Sequence, residues 1–277
     1  MKIYKVCTYI IMLFATLSCS DTVAIYDEIP ENNTVDAPPI SGLFKKRVLI
    51  EDYTGTWCGN CARVAHAIDL AKDQSDKTVA VGIHNGNDPF NFVGIAPLKN
   101  LISPTSALQL PQSRLNRTII WKYPEYNNIQ QVKNLTSNNC ALGLAIKSKI
   151  ENGNINLDVN VKFAKNYSGV KLVVYVLEDH LIYKQENYST FFGNVNPVEN
   201  FDHNHVLRAS LGNIMGDELV GTTFGKTVTT TFAVPVPTNI SNVNNISFVA
   251  FVVDANNLVI NVRAAKANEN LNFEENL

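Results

Sequence analysis

The chain has 277 residues, 45% of them hydrophobic and only 17% charged, with a formal net charge of −2. That apolar share supports a proper core, and a near-neutral charge with no basic cluster gives no support to nucleic-acid binding.

Lys2 and Lys5 precede an apolar stretch, Val6 to Leu17. A basic n-region followed by an h-region too short to span a bilayer has the form of a secretory signal. It ends Thr16-Leu17-Ser18-Cys19. A small residue before a cysteine at this position has the form of a lipobox, with Thr16 where an aliphatic residue is commoner. Residues 1–18 are then a lipoprotein signal peptide and Cys19 is the lipidated first residue of the mature chain. Ordinary signal cleavage, with Cys19 incidental, is the alternative. Several acyl chains on one cysteine anchor firmly, each buried methylene contributing roughly 0.8 kcal/mol. Residues 19–42 are polar, acidic and proline-bearing (Asp27, Glu28, Pro30, Glu31, Asp36, Pro38, Pro39) and read as a tether. No later apolar run reaches the length of a membrane span. The compartment is extracytoplasmic, where a dithiol can be oxidised or used for chemistry.

Arg47 to Tyr53 forms an apolar run, Thr54-Gly55-Thr56 a turn, and Trp57-Cys58-Gly59-Asn60-Cys61 opens a helix over about 58–74. Strand, turn, Cys-x-x-Cys, helix is the arrangement of a thioredoxin-type redox site. Two intervening residues bring both sulfurs within bridging range. Cys58 falls at the helix N-terminus, where free N–H groups and the dipole favour a thiolate; Cys61 lies a turn further in, placed to attack a mixed disulfide. A structural disulfide also fits the motif. Half a zinc site fits less well, because Cys7, Cys19 and Cys140 are isolated and His66 would complete only three ligands. Strand alternation puts Val48, Ile50 and Asp52 on one face and Leu49, Glu51 and Tyr53 on the other. Asp52 is either a buried acid relaying protons to the dithiol or a solvated residue at the strand end.

Lys77 to His84 reads as a second strand, parallel to the first across a helical crossover. The loop from His84 to Phe90 leaves the edge at which the Cys-x-x-Cys turn also lies. Residues 95–109 are moderately helical, 113–120 form a strand after Leu110-Pro111, and 125–137 suggest a closing helix. Beyond residue 140 the pattern changes. Ile155 to Phe163 alternates strictly between apolar and polar, the mark of a half-buried strand. Similar runs lie at 142–150, 170–178, 205–210, 227–234, 246–253 and 258–265, with Gly153-Asn154 and Asn256-Asn257 as hairpin turns. Seven short strands suggest an immunoglobulin-like sandwich. His203 and His205 would share a strand face and could present two imidazoles, although a structural role suits them better. Residues 184–201 form a long aromatic loop (Tyr188, Phe191, Phe192, Phe201) that either binds a ligand or partner or folds over the sandwich; the second reading is preferred.

The set Val48-Leu-Ile-Glu-Asp-Tyr-Thr-Gly-Thr-Trp-Cys-Gly-Asn-Cys61, His84 with Asp88-Pro89-Phe90, Pro111 with Leu115-Asn116-Arg117, and His203-Asn-His-Val-Leu-Arg208 resembles the 28-kDa outer-membrane-protein family of Bacteroidetes over about 43–265. Ser20-Asp21 weakly resembles the surface-export signal of lipoproteins from the same group. The front half is in turn similar to thioredoxin. That similarity implies Cys58 as attacking thiol, Cys61 as resolving thiol, Asp52 as buried acid and Pro111 as a substrate-facing cis-proline. Asn60 stands where thioredoxin has proline, which leaves the redox direction open. The expectation is an α/β thioredoxin-like domain (43–139) followed by an all-β immunoglobulin-like sandwich (140–277). The chain would be a lipoprotein of the outer membrane, anchored through Cys19 and exchanging disulfides with envelope protein thiols, with no cofactor, metal or nucleic acid. The alternative is a surface adhesion or binding lipoprotein whose dithiol is structural.

Overall fold

The computed structural model describes residues 43–136 and 139–276. The expected signal peptide (1–18), Cys19 and the tether (19–42) lie outside them. The first elements are β1 (Val48–Thr54), α1 (Ala62–Gln74), β2 (Thr78–His84), α2 (Ala96–Ile102), β3 (Gln112–Leu115), β4 (Ile119–Ile120) and α3 (Ile129–Asn134). The rest is strand: β5 (Leu142–Glu151), β6 (Asn154–Phe163), β7 (Lys171–Glu178), β8 (Leu181–Gln185), β9 (Val198–His203), β10 (Val206–Leu211), β11 (Asp217–Glu218), β12 (Thr227–Pro235), β13 (Ile246–Val253), β14 (Val259–Lys266) and β15 (Asn270–Leu271).

β1 and β2 pair in parallel across α1, as the strand–helix–strand order requires. Both are buried almost throughout because both faces are covered. On one face, Val64, Ala67, Ile68 and Ala71 of α1 meet Val48, Ile50 and Ala80, with Ile129 and Val132 of α3 beside them. Their helical spacing makes a single stripe. The strand expected over 113–120 is instead two strands, because Asn116 and Arg117 adopt positive φ (47° and 71°) and reverse the chain into β4.

In the rear part the period-2 reading gives the right faces. Ile155, Leu157, Val159, Val161 and Phe163 of β6 are buried and pack on Leu172, Val174 and Val176 of β7 and on Phe248, Ala250 and Val252 of β13. The β5–β6 turn falls one residue earlier than expected, on Asn152 and Gly153, whose φ values of 52° and 74° suit a two-residue hairpin.

The expectation of an α/β thioredoxin-like domain followed by an immunoglobulin-like sandwich does not hold. One mixed sheet of order β14-β13-β7-β10-β2-β1-β3-β4, with β11 beside β7, runs through both parts. The joint is a parallel bridge in which Gly82 N donates to His205 O at 2.8 Å. The other sheets are β12-β6-β5-β15 and the hairpin β8-β9. Among the described residues strand exceeds helix, 42% to 15%. The large sheet also rolls. At its edge Val259 N donates to Asn116 O (3.2 Å), and Asn261 Oδ1 accepts from Arg47 N (3.0 Å), bringing β14 back against β1. The rolled face encloses Leu49, Tyr53, Val81 and Ile83 together with Val173, Tyr175, Leu207, Val249 and Phe251, and Phe92 and Leu98 close it. Sequence periodicity detects strands but not which strands adjoin, so the change of pattern near residue 140 read as two folds.

A buried polar network lies inside this roll. Arg117 donates to Glu51 Oε1 (3.4 Å from Nε, 3.3 Å from Nη2) and to the Tyr175 hydroxyl (2.5 Å). Tyr53 donates to Glu51 Oε2 at 3.3 Å. Both Glu51 and Arg117 are fully buried. Burial opposes the Arg117 charge, yet Tyr175 and Glu51 outweigh it and raise its pKa above the ordinary arginine value. Removing one partner of such a pair costs about 3–5 kcal/mol. Arg117→Met should therefore lower unfolding stability by that amount. Both tryptophans, Trp57 and Trp121, lie in the front part, whereas far-UV dichroism reports mainly the strands of the rear. In the wild type the two signals should trace one denaturant transition. Two separated transitions would mean that the halves fold independently.

Candidate functional site

β1 ends at Thr54 and the chain turns through Gly55–Asn60 before α1. Cys58 N donates to Gly55 O (3.0 Å) and Cys61 N to Cys58 O (3.0 Å). Cys58 and Cys61 form a disulfide with Cα atoms 5.4 Å apart. Regular helix starts at Ala62, so Cys61 rather than Cys58 is the N-cap residue. Both cysteines are buried, Cys58 at 6% exposure and Cys61 at 1%. Cys58 is thus covered, and Cys61 is the less exposed of the two.

The cover is the loop between β8 and β9. Glu186 N donates to Thr56 O and Tyr188 N to Gly59 O, each at 2.8 Å. Gln185 Nε2 donates to Gly55 O (3.2 Å) and Cys58 O (3.0 Å). A Cβ on Gly59 would lie 2.5 Å from the Tyr188 ring, so only glycine admits this approach. Asn187 ties the loop together, donating to Phe191 O (2.9 Å) and Val195 O (3.0 Å). Phe191 stacks on His66 of α1 at 3.9 Å and meets the Tyr126 ring edge-on at 5.2 Å. The aromatic loop therefore straps the disulfide turn instead of folding over the rear strands. Its two ends are the β8–β9 hairpin, which the sequence pattern did not show.

Asp52 is buried on the α1 side of β1, as alternation implies. Burial, then the charge of Glu125, push its carboxyl well above the ordinary range, against the opposing Arg63. Its Oδ1 has no hydrogen-bond partner. Arg63 and Glu125 pair bidentately at 2.8 and 3.2 Å. Asp52 and Cys61 line one cavity of about 330 Å3, whose wall includes His84, Gln185, Phe192, Phe201 and His203. The peptide before Pro111 is cis. Pro111 precedes Gln112, the partner of Tyr53 across β1–β3, and so stands at the sheet end that carries the disulfide turn. It is not among the residues lining the cavity.

His84 Nδ1 lies 3.0 Å from Asp88 Oδ2, and that oxygen also accepts from Thr56 N at 2.6 Å. Burial alone would raise the Asp88 carboxyl, but the His84 bond and the N–H groups of Thr56 and Phe90 hold it below the ordinary range. His203 packs 5.3 Å from both His84 and Phe90. Sequence reading gave His84 and Asp88 no role; their signal was the loop leaving the same edge as the Cys-x-x-Cys turn. His203 and His205 do not share a face: a turn with φ 58° at His205 separates them, and His205 pairs with Asp179 at 3.0 Å. Among the described residues no group of three or more His, Cys, Asp or Glu could hold a metal ion.

The model of the outer membrane protein Omp28 family matches residues 100–271, more than half of the chain. The chain belongs to the Omp28 family. This Omp28 protein accordingly belongs to the outer membrane, and among the described residues no helix is long and apolar enough to cross a membrane. HBP35 of Porphyromonas gingivalis is structurally similar, with TM-score 0.60 and 16% identity over 82% of this chain and 77% of that one. The likeness concerns the fold alone. A domain of the outer membrane lipoprotein Omp28 from Porphyromonas gingivalis aligns at TM-score 0.31 and 23% identity, over 46% of this chain and 96% of that one. No curated protein matches.

Burial and the neighbouring His84 push the His203 imidazole down to about 4. A histidine with a depressed folded-state pKa stabilises the fold fully above its unfolded value, near 6.5, and loses that contribution as pH falls toward 4. The loss should reach about 3 kcal/mol. His203→Phe should therefore be less acid-sensitive than the wild type between pH 6.5 and 4. Parallel stability–pH curves would rule out a strained neutral His203. The strap gives a second expectation. An aromatic pair is worth about 0.5–1.5 kcal/mol. Phe191→Ala should speed dithiothreitol reduction of the disulfide by up to about tenfold, with global stability little changed. An unchanged rate would mean that the strap does not control access.

Proposed function

We propose that this Omp28 protein carries out thiol–disulfide exchange on extracytoplasmic proteins, anchored to the outer membrane by lipid on Cys19. The observation that carries the reading is the Cys58–Cys61 disulfide beside a buried, incompletely bonded Asp52 in a shared cavity. An acid held protonated by burial is suited to return a proton to the sulfur released when the disulfide opens. Cys58 is the sulfur attacked and Cys61 the one released and later resolving, because Cys61 lines the cavity with the acid. Pro111, at the same sheet end, would face the incoming substrate. The partners are protein thiols or disulfides of the envelope, and the reading calls for no cofactor and no nucleic acid.

One observation favours a second reading, a surface adhesion or binding lipoprotein with a structural dithiol. The strap leaves neither sulfur open to a protein thiol. Trapping separates the two. In a Cys140→Ser background, Cys61→Ser should accumulate mixed disulfides with envelope proteins through Cys58, because no resolving thiol remains. Cys58→Ser should accumulate few. Equal, negligible trapping by both variants would leave the structural reading.

A further inference from the structure

The ends of β1 and β2 form the floor of the cavity. Asp52 stands opposite Gly82 and Thr54 opposite His84, and all four line it, with Cys61 and Ala62 of α1 forming another wall. From strand spacing and rise, Asp52 and His84 are diagonal neighbours about 8 Å apart at Cα. Asp88 fixes the His84 ring. Its Oδ2 takes the 3.0 Å contact from Nδ1, while Oδ1 accepts from Phe90 N at 2.8 Å. A carboxylate accepts only from a protonated nitrogen, so Nδ1 carries a proton, and in the neutral ring the lone pair is on Nε2. Phe90 packs edge-on to the same ring at 5.4 Å. Through Thr56 N, Asp88 also holds the turn that leads into Cys58.

We propose that His84, oriented by Asp88, is the base that takes up the proton of the Cys61 thiol through their shared cavity. The inference rests on the exchange reading above. With a substrate sulfur bonded to Cys58, the Cys61 thiol gives its proton to His84 Nε2. The Cys61 sulfur then bonds to the Cys58 sulfur. The bond between Cys58 and the substrate breaks, and its electron pair leaves on the substrate sulfur, which is protonated by solvent. The dithiol is oxidised by two electrons and the substrate disulfide reduced.

The neighbours of His84 make it the acceptor. Burial raises the Asp52 carboxyl on β1 well above the ordinary range, which favours its protonated form. His203 on β9 resists protonation above about 4. Asp88 bonds the His84 ring, and Arg208 of β10 lies 5.8 Å from the Phe90 ring that packs on it. Asp69 and His205 stand further along the cavity wall.

The test uses the reduced full chain in a Cys140→Ser background, reacted with one equivalent of the disulfide of thionitrobenzoate. The first thionitrobenzoate leaves as Cys58 forms the mixed disulfide, the second as Cys61 resolves it. His84→Gln should slow the second release by about a hundredfold near neutral pH, the low end of a general-base contribution, and remove one ionisation from its pH profile. The first release should stay unchanged. A nuclear-magnetic-resonance titration of the unaltered chain guards against misfolding of the variant: the His84 midpoint should differ between the reduced and oxidised forms. An unchanged pH profile in His84→Gln, or one midpoint in both forms, would overturn the role of His84 while leaving exchange intact. No second release from the wild-type dithiol would end both readings together.

Discussion

The Glu51–Arg117 pair is the interaction on which the architecture turns. Glu51 comes from the first strand, Arg117 from the positive-φ turn after β3, and the tyrosine between them from β7. Arg117 also lies over Phe251 of β13, at 4.8 Å. None of these groups can be buried alone, since an unpaired charge in an apolar interior is strongly destabilising. They are paired only when the front strands, β7 and β13 close around them together. A single rolled sheet is the arrangement that allows this.

The same strand supplies the site. Glu51 and Asp52 are adjacent, so their side chains leave β1 on opposite faces. Glu51 enters the roll and finds a cation and two hydroxyls. Asp52 enters the α1 side, where its Oδ1 finds no partner and burial pushes its carboxyl well above the ordinary range. One acid is spent on the fold and the other left available for chemistry. The register of β1 against β2 and β3 fixes this division. A one-residue slip would exchange the two environments.

Much of this was legible in the sequence. Apolar runs located β5, β6, β7, β12, β13 and β14 to within a residue or two: β6 and β12 by strict alternation, β7 and β13 by near-continuous burial, both of them local properties. The faces of β1 were assigned correctly for the same reason. What stayed hidden depends on partners distant in the chain. Arg117 stood in the family-like segment Leu115-Asn116-Arg117, but its partner Glu51 lies 66 residues away. The β8–β9 hairpin gave no signal because β8 presents Ile182, Tyr183 and Lys184 to solvent between two buried ends, a pattern with no period. The Cys-x-x-Cys spacing correctly announced two sulfurs within bonding range. It carried no information on the strap, which comes from residues more than 120 positions later.

Strap and acid are coupled through water. Gln185 and Phe192 belong to the strap, and both line the cavity that holds Asp52 and Cys61. Burial is the leading cause of the raised Asp52 carboxyl, and closure of the strap contributes to that burial. Any motion that bares the sulfurs to a substrate must also wet the cavity, which lowers the cost of charge on Asp52 and loosens its proton. Access and acidity therefore change together. The same loop thus keeps the disulfide out of reach and walls the cavity in which burial raises the Asp52 carboxyl.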